Sequence, residues 1–182
     1  MENVLFERII NEYGKDIYSF CVYLSGSRHE ADDLYQQVFL IAMEKNDIDE
    51  SNNPKSYLLS IAANVWNNRK RKFLWRREKA EIVHYEKDSL EQVAGESNTP
   101  EDEFIKREEL IRVRKLVNEL PDKMKVVILL YYMEEMSIEE ISNTLNIPIG
   151  TVKSRLHQSK KKLKERLSAN EGQNGYSARE CI

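Results

Sequence analysis

An all-α fold, built as two small helical domains joined by a flexible linker with a helix-turn-helix in the second, is what this 182-residue sequence predicts. Three observations lead there. Glycine and proline are scarce, at 6 and 4, while 32% of the residues are charged, a composition that favours helices over strands and turns. Apolar residues recur at three-to-four-residue spacing, the mark of amphipathic helices. Residues 86–102 interrupt that pattern with Glu, Ser, Asn and Gln, and with Gly95 and Pro100, offering little that could form a core. We therefore divide the chain into a first domain (1–79), a linker (80–104), a second domain (105–168) and a polar tail (169–182) expected to fray.

Val4, Leu5, Ile9, Tyr13, Ile17, Phe20 and Leu24 lie on one face of a first helix, and Gly26 should end it. Ala31, Leu34, Val38, Phe39 and Ala42 define a second. Asn53-Pro54 opens a third, since Asn caps well and Pro suits a first helical turn. Its inner stripe is Leu58, Ile61, Ala62 and Val65, and it runs on into the basic stretch NNRKRKFLWRREK. Beyond the linker, helical spacing resumes with Leu110, Val113, Val117 and Leu120. Pro121 then opens a helix whose run VVILLYY is apolar nearly all round, which places it at the centre of the second domain.

The net charge of -3 does not suggest a nucleic-acid binder, but its distribution does. Residues 1–50 hold 11 acids against 4 Lys/Arg; residues 69–79 and 153–166 each hold 7 Lys/Arg and one acid. An acidic front and two basic patches point to different partners for each. Cys21 falls on an apolar helical stripe and reads as core, while Cys181 lies in the tail, so neither a disulfide framework nor a zinc site is implied. His29, His84 and His157 have no metal-ligand spacing, and no phosphate-binding glycine loop is present. No apolar run approaches the ~20 residues of a membrane span, and MENVLFERII does not have signal-peptide form. We expect no cofactor, no metal, no small-molecule substrate and a cytoplasmic location.

MSIEEISNTLNIPIGTVKSRLHQSKKKLKERL carries the most information. Ser137 and Glu140 have capping-box spacing; Ile138, Ile141 and Leu145 form an inner face. Asn146 can close that helix in a left-handed conformation, and Pro148 restarts the chain. Val152, Leu156, Leu163 and Leu167 would be the buried stripe of the next helix. Two short helices about a tight turn make a helix-turn-helix. Thr151, Lys153, Ser154, His157 and Gln158 then lie off the apolar stripe near the N-terminal end of the second helix, where side chains reach base edges. An ordinary helical hairpin shares this spacing; the run Lys160-Lys161-Lys162 favours DNA by extending the positive surface.

The segment NELPDKMKVVILLYYMEEMSIEEISNTLNIPIGTVKSRLHQSKKKL closely resembles region 4 of extracytoplasmic-function (ECF) sigma factors, in its LP, its S-x-E-E-I-S start and its GTVKSRL. HEADDLYQQVFLIAM resembles region 2.2 of the same family, through Asp32, Asp33, Leu34, Gln36 and Phe39, with Gln37 where Glu is common. NPKSYLLSIAANVWNNRKRK resembles regions 2.3 and 2.4, with Asn68 in place of a common Asp and Arg69-Lys70 in place of apolar residues.

The resemblance implies a non-catalytic subunit that binds core RNA polymerase through those region 2.2 residues. It implies minus-10 contacts from Asn64, Trp66, Asn67, Asn68, Arg69, Arg71 and Lys72, on duplex and on melted single strand, with Tyr57, Trp66, Phe73 and Trp75 able to stack on bases. It implies minus-35 contacts from Thr151, Lys153, Ser154, Arg155, His157, Gln158, Lys160 and Lys161, and a membrane-anchored anti-sigma factor as regulator. Two other readings stand beside it: a stand-alone helix-turn-helix regulator, and a nucleic-acid-processing enzyme with Asp32 and Asp33 as metal ligands. Adjacent residues on a helix point about 100° apart, which suits chelation poorly.

Overall fold

The computed structural model describes the backbone of residues 2–45, 48, 53–79 and 110–174, and the side chains of 5–45, 48, 53–69 and 110–168. Every element among them is a helix. α1 (Glu2–Ser25), α2 (Arg28–Lys45) and α3 (Pro54–Lys79) pack together as a first bundle. The second comprises α4 (described over 110–118), α5 (Asp122–Tyr132), α6 (Ile138–Leu145) and α7 (Ile149–Asn174). The linker 80–104 lies outside the described residues. α7 continues past Ala169, where the sequence suggests a frayed tail. Ala, Glu and Gln at 169, 171 and 173 are good helix formers, and backbone bonds alone can carry the helix on.

Local chemistry sets the helix ends. Gly26 adopts φ +76°, and its N–H donates to the Val22 carbonyl at 2.9 Å. A Cβ there would also lie only 3.1–3.2 Å from the Asn118 side chain, so the position requires glycine on two counts. Asn53 Oδ1 accepts from the Ser56 N–H at 3.1 Å, capping α3 ahead of Pro54. α6 opens on a complete capping box: Ser137 Oγ accepts from the Glu140 N–H at 3.2 Å, and Glu140 Oε2 accepts from the Ser137 N–H at 2.8 Å. Asn146 closes it with φ 49° and ψ 52°.

The capping box gives a first prediction. Ser137→Ala should lower stability to denaturant by about 0.5–2 kcal/mol. The backbone hydrogen bond from Ser137, followed by the one from its hydroxyl, holds the Glu140 pKa below the ordinary value of 4.5. A depressed carboxylate stabilises the fold above its unfolded pKa and loses that contribution as pH falls through the folded one. Alanine keeps the backbone N–H and removes only the hydroxyl, so the part of the Ser137→Ala deficit that runs through Glu140 should shrink in denaturation series run below about pH 4.5; a deficit independent of pH would show that the Ser137 hydroxyl has no part in holding that carboxylate.

The core is continuous across both bundles. Ile17, Phe20, Leu24, Leu34, Val38 and Leu58 fill the first, joined by Leu130, Ile141 and Val152 of the second. All six residues from Lys125 to Leu130 are buried, which puts α5 at the centre, as its apolar run predicts. Cys21 is also core, and burial pushes its thiol up to about 12, leaving it protonated and unreactive. Tyr35 sits between Tyr18 and Phe39, at 5.6 and 4.8 Å between ring centres. A Cβ on Gly14 would come within 2.9 Å of the Tyr35 hydroxyl, so glycine lets α1 approach α2 closely. On α4 the buried position is Leu116, with Leu120 buried in the turn that follows, whereas Leu110 and Val113 are exposed. The spacing of that helix is amphipathic, but the face turned inward is the one that places Arg114 on Tyr23 and Asn118 beside Gly26.

Candidate protein and nucleic-acid interfaces

On α2, Ala31, Leu34, Val38, Phe39 and Ala42 face inward. Leu34 (0% exposed) and Phe39 (7%) are therefore core residues that shape the helix from behind, not surface contacts as the sequence comparison implies. Asp32, Asp33, Gln36 and Gln37 face solvent. Asp32 Oδ1 accepts from the Tyr18 hydroxyl at 2.8 Å, so this carboxylate is partly committed to holding α1 against α2. The same bond, first among its causes, raises the Tyr18 pKa. Asp33, Gln36 and Gln37 continue along the helix at positions that repeat every three to four residues into Leu40 and Met43, which are 56% and 50% exposed. Neither belongs to the predicted site, yet the sequence holds the signal: both are large apolar residues of α2 outside its buried stripe. An acidic and amide face ending in two exposed apolar side chains is suited to a cationic, partly apolar protein surface.

α3 is buried on several sides because it packs between α1 and α2 on one hand and α5 and α6 on the other. Asn64 and Asn68 are exposed and share a face; Asn67 is half-buried. Trp66 is 2% exposed, and its indole N–H donates to Asp122 Oδ1 at 3.1 Å. It is thus a core residue in this conformation, closed off from bases by the start of α5. Arg69 Nε donates to Gln37 Oε1 at 3.2 Å, linking α3 to the exposed face of α2. The side chains of Arg71, Lys72, Phe73 and Trp75 lie outside the described residues.

The helix-turn-helix is α6, the turn at Asn146 and α7. Ser142 Oγ donates to the Ile147 carbonyl at 2.6 Å, and the Ile147 N–H donates to the Ser142 carbonyl at 3.1 Å, fixing the angle of the turn. The Pro148 carbonyl accepts from the Thr151 and Val152 N–H groups and starts α7. Val152, Leu156 and Ser159 face inward, with Ser159 Oγ donating to the Arg155 carbonyl at 2.7 Å. Leu163 and Leu167 are only half-buried, because α7 extends past the elements that cover its first turns.

Lys153, Ser154, His157, Gln158 and Lys161 form one exposed face, with Gln158 Nε2 donating to Ser154 Oγ at 3.1 Å. Thr151 and Arg155 are half-buried beside it. Between the start of α5 and the first turns of α7 runs an open groove of about 470 Å³, lined by Lys123, Thr151, Ser154, Arg155 and Gln158 among others. Gly150 borders it, and a Cβ there would meet nothing within 4 Å. The fold itself does not need that glycine, which leaves the surface low where another molecule can approach.

Lys160 differs from its neighbours. Its ammonium lies 5.4 and 5.3 Å from the ring centres of Tyr131 and Tyr132, and a hydrogen bond with Tyr132 raises its pKa. It ties α7 to α5, where the sequence suggests a phosphate contact. Lys161 points outward, with Glu165 4.0 Å away. Among the described residues no group of three or more His, Cys, Asp or Glu side chains is placed to hold a metal ion. No helix among them is long and apolar enough to cross a membrane.

Comparison with known proteins agrees with this geometry. Residues 9–77 match the family model for sigma-70 region 2, and residues 110–163 match that for sigma-70 region 4. The ECF RNA polymerase sigma factor SigW of Bacillus subtilis is 34% identical over 169 residues, covering 89% of this chain and 88% of that protein. SigM of the same organism is 28% identical over 158 residues, covering 87% and 92%. Two solved structures share the fold: the sigma factor RpoE of Bartonella quintana in complex with the anti-sigma factor NepR, and CnrH in complex with the cytosolic domain of CnrY. The first has a TM-score of 0.72 at 23% identity over 90% of this chain and 96% of that one; the second has 0.62 at 19% over 90% and 88%. The matches to both regions, in order and over nearly the whole chain, exclude a stand-alone regulator: this chain belongs to the ECF group of sigma-70 family RNA polymerase sigma factors.

Proposed function

We propose that the chain is a dissociable, non-catalytic specificity subunit that docks on core RNA polymerase through the exposed face of α2, opens minus-10 DNA along α3 and reads the minus-35 element with α7. The observation that carries this is the pair of exposed faces of contrasting chemistry: carboxylates and amides on α2, and Lys153, Ser154, His157 and Gln158 on α7. The domain limits are those the sequence suggests, 1–79 for the first and 105–168 for the second. Asn64, Asn67 and Asn68 offer hydrogen bonds to unpaired bases, and Arg69, Arg71 and Lys72 supply cations for the separated backbones. Two neighbours in fold are solved as complexes, one with the anti-sigma factor NepR and one with the cytosolic domain of CnrY, which supports regulation by an anti-sigma factor; the family resemblance adds that this factor is membrane-anchored and acts in a stress or envelope response. The protein works in the cytoplasm, where polymerase is.

Run-off transcription with core polymerase on a library of minus-35 variants tests this. Replacing Lys153 or Gln158 should change which bases are tolerated, at ~1–3 kcal/mol per lost bidentate contact. Replacing Lys161 should weaken all promoters alike and reduce the salt dependence by about one ion. If the Lys153 and Gln158 variants merely scaled every promoter equally, α7 would not be the base-reading helix.

A further inference from the structure

α7 is held at two places, and its exposed stretch from Lys153 to Gln158 lies between them. The first hold is the start of the helix, where the Pro148 carbonyl accepts from the Thr151 and Val152 N–H groups at 2.8 and 3.2 Å. The second is Lys160. It follows Lys153 by seven residues, about two helical turns, so the winding of the helix alone would align it with Lys153 and His157 on the outward face. Its ammonium is drawn aside instead, over both rings at the end of α5: 5.4 Å from the centre of Tyr131 and 5.3 Å from that of Tyr132. The rings stand edge to face with centres 5.0 Å apart. Tyr131 is half-buried against the core, while Tyr132 is 50% exposed. Two ring faces converging on one point make a seat for a cation, because each attracts positive charge through its quadrupole. Lys161 and Lys162 are exposed, and Lys161 has Glu165 4.0 Å away. The three adjacent lysines are therefore not equivalent.

We propose that Lys160 is a positioning residue, which clamps α7 onto the tyrosine pair of α5 and sets the tilt of the stretch from Lys153 to Gln158, and that it is not a phosphate contact. Contacts to base edges are directional, so they depend on how the helix lies in the groove. A lysine on a phosphate is a point charge on a flexible stem and tolerates a change of tilt. Releasing the clamp should cost discrimination and leave counterion release unchanged, the reverse of losing a phosphate contact. The consequence for promoter choice rests on the function proposed above; the clamp itself does not.

The clamp is tested on the full chain alone by nuclear magnetic resonance. The Lys160 methylene protons should be shifted upfield by the tyrosine rings, and should move back towards their ordinary position in Tyr132→Leu. The role is tested on holoenzyme assembled with core polymerase, using matched and minus-35-mismatched promoters at several salt concentrations. Lys160→Met keeps the length of the side chain and removes its charge. It should lower the preference for the matched promoter several-fold and keep the parent's salt dependence. Lys161→Met should keep the preference and lose about one ion of salt dependence. Tyr132→Leu should reproduce the loss seen in Lys160→Met, and combining the two should add little. Lys160→Arg, which can stack on the same rings, should restore the preference. Circular dichroism separates a shifted helix from an unfolded one. Ordinary methylene shifts in the parent would overturn the clamp. Ring-shifted methylenes, with a Lys160→Met variant that keeps its preference or loses about one ion, would overturn the positioning role. If Lys153 and Gln158 variants left base preference untouched, the reading by α7 would fall and the positioning role with it, but not the clamp.

Discussion

Replacing Asp33 and Gln36 together by alanine should reduce affinity for core RNA polymerase by about tenfold or more per lost contact while leaving the bundle folded. Hydrogen bonds to charged partners contribute about 1.5–3 kcal/mol each, and about 1.4 kcal/mol is a factor of ten. Both side chains are exposed on α2, so their removal opens no cavity. Equilibrium binding to purified core, with circular dichroism as the folding control, gives the answer. Leu34→Ala makes the contrast, since Leu34 is wholly buried and should cost stability. Undiminished core binding by a folded Asp33/Gln36 double variant would remove α2 from the interface.

Leu130→Ala should destabilise the protein by about 2–5 kcal/mol, the range for a leucine cut from a packed core. Leu130 is 0% exposed on α5, within the core shared by both bundles. Such a loss is a large fraction of ordinary domain stability, about 5–15 kcal/mol. Urea unfolding followed by circular dichroism measures it. A change below about 1 kcal/mol would mean that α5 is not the centre of its bundle.

Features that depend on a few neighbouring residues were legible in the sequence. The capping box at Ser137 and Glu140, the left-handed Asn146, the glycine stop at Gly26 and the Asn53-Pro54 start are all local. So is the inward face of α2. What could not be read is set by a distant partner. Trp66 follows an amphipathic stripe and adjoins polar residues; its burial comes from packing with helices distant in sequence, and Asp122, 56 positions on, accepts its indole N–H. The face that α4 turns inward depends on where Tyr23 and Gly26 lie, and Lys160 is drawn to Tyr131 and Tyr132 from the end of another helix. Leu34 and Phe39 belong to the same motif as Asp33 and Gln36, but a motif records which residues occur together, not which way they point.

The hydrogen bond from Arg69 to Gln37 joins two positions where this chain departs from the pattern it otherwise resembles. They are best treated as one unit when the protein is re-engineered. A chimera that takes α2 from a relative with Glu at position 37 would set a full negative charge against Arg69, strengthening the pair and drawing the guanidinium away from DNA. One that takes α3 alone would leave Gln37 without this donor. Exchanging α2 and α3 together keeps the Arg69–Gln37 pair intact.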